Sequence, residues 1–187
     1  MAAPKDRAAA VRAALRTLVA RNGFHGASMS AVAAQAGVAA GTAYTHYASK
    51  DELVLAAYCE TKSELNLAVT TDADPNAPAE QWFRDLWLSC YRHLRANPEH
   101  ARFLLQVEHS PYRARAHEAA LADQDDPLLA QVASPDIAAQ LLALPLEVLY
   151  ELALSPAIRL AAGEAELTDA QLDEIAAACW RAVSRPG

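Results

Sequence analysis

Cysteine is scarce in this sequence, and the cysteines it has are far apart. Cys59, Cys90 and Cys179 are odd in number and form no Cys-x-x-Cys pair. This pattern argues against a disulfide framework. We therefore expect free thiols, as in proteins of a reducing compartment.

Long apolar runs are also missing. No segment approaches the roughly 18 uninterrupted apolar residues that a membrane-spanning helix needs. The N-terminus carries basic residues without the apolar core of a signal peptide. We therefore expect a cytoplasmic protein that does not associate with membranes.

Glycine and aromatic residues are few, at six glycines and 6% aromatics. The sequence is nevertheless 53% hydrophobic, and much of that fraction is alanine, the strongest helix former. A chain of 187 residues suits one or two domains and can bury a substantial core. The composition predicts an all-α fold.

Charge is divided unevenly along the chain, whose net charge is −7. Residues 1–50 carry six basic side chains and one acidic one, a net +5, whereas residues 51–187 carry 10 basic and 22 acidic ones, a net −12. Only a surface within about 10 Å of a polyanion has to be positive. The basic N-terminal segment is therefore compatible with nucleic-acid binding, and an ordinary solvated basic helix is the alternative.

Residues 28–53 have the most informative pattern in the chain. Ser28 can cap a short helix, and Gly37 marks a turn before a second short helix. Ser49 and Glu52 then form the Ser-x-x-Glu capping box of a longer helix that runs to about Thr71. This order indicates a helix-turn-helix, which places its second helix in the major groove of DNA.

The same segment resembles the DNA-binding module of TetR-type transcriptional regulators. The family pattern has the form A-G-V-x-x-G-T-x-Y-x-H-F-x-S-K-x-x-L. The detailed match covers residues 24–53 and comprises Ala36-Gly37-Val38, Gly41-Thr42, Tyr44, His46, Tyr47, Ser49-Lys50 and Leu53.

Three features depart from the family pattern. Ala39 replaces the usual Ser or Thr cap of the recognition helix. Tyr47 replaces a core-facing Phe. Ala40 and Ala43 leave the recognition helix with few long side chains.

The resemblance implies two all-helical domains. A three-helix DNA-binding domain occupies residues 1–50, its first helix running from Pro4 to Ala20, and a larger effector-binding and dimerisation domain occupies residues 51–187. A helix from about 49 to 71 connects them. Prolines that follow capping residues mark helix starts. Pro145 is expected to kink a helix that starts at Pro135. Ser155-Pro156 is either a second kink or the start of a new helix. The expected helices of the second domain lie near residues 79–96, 98–109, 111–123, 127–133, 135 onwards and 168–183.

Phosphate contacts are expected where the recognition helix meets the following helix. Lys50 supplies a cation at a helix N-terminus, and Thr42 and Tyr44 supply hydroxyl donors. Base contacts then fall to Ala40, Ala43 and Thr45, chiefly through thymine methyl groups. Core packing is the alternative for Tyr44 and Tyr47, and simple surface exposure for His46. The expected DNA-binding residues are Ala40, Gly41, Thr42, Ala43, Tyr44, Thr45, His46, Tyr47 and Lys50.

One recognition helix contacts too few bases for useful specificity, so a homodimer is expected. Apolar residues recur at helical spacing in the C-terminal region, and the resemblance implies a four-helix bundle across two subunits. Packing within one subunit is the alternative. The expected dimerisation residues are Leu141, Leu144, Val148, Leu172, Ile175 and Cys179.

Large aromatic residues gather in the middle helices, with polar residues between them. This mixture is typical of a small-molecule site, with ordinary core as the alternative. The resemblance implies a repressor that a small-molecule effector releases from its operator, without a cofactor. The expected effector-binding residues are Trp87, Tyr91, Phe103, Gln106, His109, Glu147 and Tyr150.

Two other classes of function were compared with this one. An enzyme is disfavoured because no Gly-x-Gly-x-x-Gly, phosphate-binding loop or Gly-x-Ser-x-Gly occurs. His93, His100, His109 and His117 could still converge on a catalytic metal. A helical dimer that binds a protein partner is the other alternative.

Overall fold

The computed structural model describes residues 4–71, 73–74 and 76–186, with the side chains of residues 4–6 left out. In this part of the chain, turns and loops join α-helices, and no strand occurs, apart from one isolated bridge between Leu141 and Ser184. The all-α prediction is confirmed. The α-helices are α1 Pro4–Asn22, α2 Met29–Gln35, α3 Ala40–His46, α4 Lys50–Thr71, α5 Ala79–Ala96, α6 Pro98–Glu108, α7 Arg113–Leu121, α8 Pro127–Val132, α9 Pro135–Ala138, α10 Leu146–Ala153, α11 Ser155–Ala162 and α12 Asp169–Val183.

The first three helices form the predicted helix-turn-helix arrangement. Gly23 ends α1 with φ +67°, and a short 3-10 helix, Phe24–Gly26, follows. Ser28 caps α2, accepting the Ala31 amide at 3.2 Å. Gly37, also at φ +67°, makes the turn into α3, where a residue with a side chain would be strained.

Helix α4 begins where its capping residues predict. Ser49 Oγ accepts the Glu52 amide at 3.2 Å, and the Glu52 carboxylate accepts the Ala48 amide at 2.8 Å. The reciprocal bond of the capping box therefore goes to Ala48, one residue before its expected partner. At 22 residues, α4 has the predicted length.

Glu60 on α4 joins this helix to α1. Its two carboxylate oxygens accept hydrogen bonds from Arg12 and Arg16, and all three side chains are largely buried. Burial acts to raise the pKa of Glu60, but the two guanidinium groups outweigh it and hold the pKa below its usual value. Glu60 is therefore ionised in the folded protein at neutral pH.

Contacts divide the chain into two compact units. The first comprises Met1–Lys62 and Arg102–Ala122, and the second comprises Ser63–Ala101 and Asp123–Gly187. These units do not coincide with the boundary expected at residue 50, because the start of α4, the end of α6 and all of α7 belong to the first unit.

The second unit is built around α5, which packs against α11 and α12. Trp82, Phe83 and Trp87 on α5 are buried. The Trp87 indole donates to the Ala153 carbonyl at 3.0 Å, and the Phe83 ring lies 5.4 Å from the Trp180 ring. The last helix begins with a full capping box formed by Thr168 and Gln171, which agrees with its expected start at residue 168.

The prediction of a helix kinked at Pro145 is wrong. Helix α9 ends at Ala138, and Pro145 instead precedes a new helix, α10. The intervening backbone pairs with the end of α12, since the Leu142 amide donates to the Val183 carbonyl at 2.8 Å. Proline also disfavours the helical conformation in the residue before it. Ser155-Pro156 is a fresh helix start, that of α11.

No helix within the described residues is long and apolar enough to cross a membrane.

Replacing Glu60 with Gln should lower the free energy of unfolding by about 2 kcal/mol, because two guanidinium groups lose their counter-charge. Because the pKa of Glu60 is lower in the folded than in the unfolded protein, its ionised form stabilises the fold at pH values above the unfolded-state pKa of about 4.3. This stabilisation is lost as the pH falls through the folded-state pKa. The difference in free energy of unfolding between wild type and Glu60→Gln should therefore become smaller in acid. Urea unfolding followed by circular dichroism measures this difference. Glu64→Gln, at an exposed position on the same helix, is the control, and an equal loss there would contradict the assignment.

Candidate nucleic-acid interface

The outer face of α3 presents polar and small side chains to solvent. Tyr44 is the most exposed of the large ones, with 55% of its surface accessible. Ala40, Gly41 and Thr45 are also exposed, and Thr42 is half-buried. Because the other side of α3 packs on α2 and α1, this face is the one that it can offer to a partner.

Two of the nine expected DNA-binding residues point into the core instead. The Ala43 side chain is fully buried where α3 packs on α2, so its methyl group is not available to a thymine. Tyr47 is also buried, and its hydroxyl accepts a hydrogen bond from Arg12 at 2.5 Å. The expectation that these two side chains contact DNA is not supported by their position. For Tyr47, the structure agrees with the alternative that its side chain packs in the core.

Gly41 and Thr45 lie one helical turn apart on α3. A Cβ on Gly41 would meet no atom within 4 Å, so the protein itself leaves room for a side chain at this position. The Thr45 hydroxyl donates to the Gly41 carbonyl at 2.9 Å. This bond uses the hydroxyl hydrogen of Thr45. Thr45 is exposed as a residue, and its methyl group takes no part in the bond.

Lys50 lies at the start of α4 and is held by the 3-10 helix. Its ammonium group donates to the Phe24 carbonyl and lies 5.9 Å from the centre of the Phe24 ring. Burial lowers the pKa of Lys50, and the neighbouring Asp51 carboxylate partly opposes that shift. An ammonium group has three donors, so two remain for a phosphate.

Tyr112 is a residue whose place could not be found from the sequence. It contacts the Phe24 ring and Asp51, next to Lys50. No local pattern signals this contact, because Tyr112 and Asp51 are 61 positions apart.

The seven expected effector-binding residues are divided between the two compact units. Phe103, Gln106 and His109 belong to the first unit, where Phe103 is fully buried and the other two are exposed. The remainder belong to the second unit. There Trp87 is buried and stacks on Tyr91 at 6.2 Å between ring centroids, Tyr150 is half-buried and Glu147 is exposed.

The expected dimerisation residues differ in exposure. Leu172 and Cys179 are buried within their own subunit, since α12 packs on α5. These two therefore fit the alternative of packing within one subunit. Leu144 and Val148 are each 40% exposed, and Leu141 and Ile175 are half-buried.

The four histidines considered for a metal site lie in different units. His93 and His100 belong to the second unit, with ring centroids 6.5 Å apart, and His109 and His117 belong to the first. His117 Nε2 lies 2.6 Å from Glu108. Over the described ranges, no group of three or more His, Cys, Asp or Glu side chains could hold a metal ion.

Comparison with known proteins supports the resemblance at both ends of the chain. Residues 11–57 match the family model of bacterial regulatory proteins of the tetR family. Residues 78–184, more than half of the chain, match the model of the tetracyclin repressor-like C-terminal domain.

One curated relative and several solved structures are similar to the chain. An uncharacterized HTH-type transcriptional regulator of Haemophilus influenzae is 32% identical over 109 residues, a match spanning 58% of each protein. A TetR-family regulator structure from Haemophilus influenzae RD is 27% identical with TM-score 0.78, covering 97% of this chain and 98% of that one. A Shewanella sp. PV-4 structure, at 21% identity and TM-score 0.81, covers 96% and 99% and shows the shared fold alone. The chain therefore belongs to the TetR family of bacterial regulatory proteins, whose members are DNA-binding transcriptional regulators.

Proposed function

We propose that this protein regulates transcription in the cytoplasm by binding a double-stranded DNA operator through the outer face of α3 and the start of α4. The observation that carries the proposal is the exposed face of α3 with Tyr44 at its centre. Two further features support it. Residues 1–50 carry a net charge of +5, and a lysine lies at the adjacent helix start.

The contacts are of two kinds. Thr42, Tyr44, His46 and Lys50 contact phosphate oxygens and fix the position of the helix. Ala40, Gly41 and Thr45 face the base edges, where methyl groups favour thymine. Ala43 and Tyr47 support the helix from inside and take no part in the interface.

We propose that the regulator acts as a homodimer through the segment that includes α10. Leu144, Leu146, Val148 and Leu152 are each about 40% exposed within nine residues of sequence. Such a cluster of accessible aliphatic side chains is typical of a surface that another protein covers. A second copy of the chain is the occupant that a two-fold operator requires, and dimers are typical of this family.

We propose further that a small-molecule effector releases the protein from its operator, as is typical of the family. The aromatic residues proposed to contact an apolar effector in the second unit are Trp87 and Tyr91, which are buried, and Tyr150, which is half-buried. The indole N–H of Trp87 is already bound to Ala153. A polar group of the effector would therefore need a partner other than this indole. A change of about 1–3 kcal/mol in DNA affinity would suffice for release.

The decisive experiment is a mobility-shift and footprinting titration on the DNA upstream of the protein's own gene. If each half-site engages about four phosphates, log affinity should fall with log salt concentration with a slope near −7. Repeating the titration with candidate small molecules tests release. The absence of a shift or a flat salt dependence would contradict the proposal and favour a protein-binding module.

Gly41→Ala should separate stability from DNA binding. The added methyl group meets no atom within 4 Å in the free protein, so helix propensity should raise stability by about 0.5 kcal/mol. The same methyl group would hold α3 away from the bases and weaken DNA binding by about tenfold.

Gly37→Ala is the matched control for this change. Its methyl group also meets nothing within 4 Å, but φ is +67°, so stability should fall by about 1 kcal/mol. No methyl group enters the interface in this variant, and the folded protein should bind DNA normally. Unchanged affinity in Gly41→Ala would contradict the close approach of α3 to DNA.

Val148→Glu should convert the dimer into a monomer, because it places a charge within the exposed apolar cluster. Light scattering would measure the mass, and loss of the two-fold operator contact should lower DNA affinity as well. Leu67→Glu is the control, since Leu67 is 61% exposed but lies apart from that cluster in sequence. A Val148→Glu variant that stays dimeric would exclude this surface.

A further inference from the structure

Four residues form a ring of contacts that includes Lys50. We call this set the Lys50 clamp, and its members are Phe24, Lys50, Asp51 and Tyr112. The Lys50 ammonium donates to the Phe24 carbonyl. The Phe24 ring packs on Tyr112 with 5.0 Å between centroids, and the Tyr112 hydroxyl donates to Asp51 at 3.0 Å. Asp51 follows Lys50 in the chain, so the ring of contacts closes. All four residues belong to the first compact unit.

The clamp is fixed on the α7 side by further hydrogen bonds. Arg115 on α7 donates to the second carboxylate oxygen of Asp51 at 3.0 Å, so both oxygens are held. The Tyr112 hydroxyl and then Arg115 keep the pKa of Asp51 below its usual value. The turn that carries Tyr112 is itself fixed, because the Tyr112 amide donates to Ser110 Oγ at 3.1 Å.

Restraint of this kind changes what Lys50 can contribute to DNA binding. A lysine side chain has four flexible bonds, and ordering it on a phosphate normally costs conformational entropy. The Phe24 carbonyl orders the Lys50 side chain before DNA arrives and leaves two of its three donors available. Preorganisation therefore raises affinity without adding a contact.

We propose that Tyr112 is a positioning residue for DNA binding, which holds Phe24 and Asp51 so that the Lys50 ammonium is already directed at its phosphate. The proposal rests on the Lys50 phosphate contact proposed above. It adds that Tyr112 and Arg115, which belong to the same compact unit as α3, affect DNA affinity without touching DNA.

The test is fluorescence anisotropy with a labelled, mixed-sequence duplex of about 30 base pairs, measured over a range of KCl concentrations. Tyr112→Ala should weaken binding by about threefold to tenfold per protomer, the factor expected when one side chain must be ordered on binding. It should also reduce the magnitude of the log–log salt slope by up to about 0.9 per protomer, because Lys50 engages its phosphate less often. Tyr112→Phe keeps the aromatic ring and should therefore lose less DNA affinity than Tyr112→Ala.

Coupling to Lys50 separates positioning from a general structural role. In a Lys50→Ala background, Tyr112→Ala should cause no further loss, because the side chain that Tyr112 positions is gone. Thermal unfolding of each variant shows that it is folded at the assay temperature.

Two neighbouring arginines provide a matched control for charge. Arg113 and Arg115 both lie in the first turn of α7, but Arg113 pairs with Glu108 and Arg115 pairs with Asp51. Replacement of either by Gln removes one positive charge. Both variants should therefore show the same small effect of the lost charge on DNA affinity. Arg115→Gln should weaken DNA binding further than Arg113→Gln does, because only Arg115 holds Asp51.

The outcomes distinguish the two proposals. Wild-type affinity and salt slope in Lys50→Ala would contradict the Lys50 phosphate contact itself. If Lys50→Ala weakens binding but Tyr112→Ala does not, or if Tyr112→Ala costs the same with and without Lys50, the positioning role is overturned. If Tyr112→Ala fails to fold, Tyr112→Phe and Arg115→Gln take its place in the same comparisons.

Discussion

The burial of one side of α3 is the constraint on which the DNA-binding surface depends. A helix of seven residues is too short to be stable alone, so its tertiary contacts must hold it. Ala43 supplies that contact with a side chain small enough to let α3 lie close to its neighbours. Once Ala43 faces inward, helix geometry directs Gly41 and Thr45 to the opposite side of α3 and Tyr44 to its flank, and all three are exposed.

A second set of contacts orients the start of α4 relative to α3. Glu60 ties α4 to α1 through two arginines, and the Lys50 clamp ties its first turn to the 3-10 helix and to Tyr112. The charged groups around Glu60 are largely shielded from water, where removing one partner has a large effect. The first compact unit is therefore more than a helix-turn-helix, since it includes a segment that lies far along the chain.

Local signals predicted most helix ends correctly. Capping residues and first-turn prolines gave the beginnings of α6, α8 and α12, because capping depends on residues a few positions apart. The same reasoning failed between α9 and α10. There the backbone at Leu142 pairs with Val183, a contact between distant residues that an apolar pattern with one proline does not reveal.

The sequence by itself determined the all-helical fold, the order of the first helices, the glycine turn at Gly37 and the family, since each depends on residue type at short, regular spacing. Tertiary structure decided which way each side chain points. It buried Ala43 and Cys179, left Val148 exposed, and brought Tyr112 to Asp51. The physical reason is that helix propensity and capping are local energies, whereas the inward face of a helix is chosen by packing against residues far away in the chain.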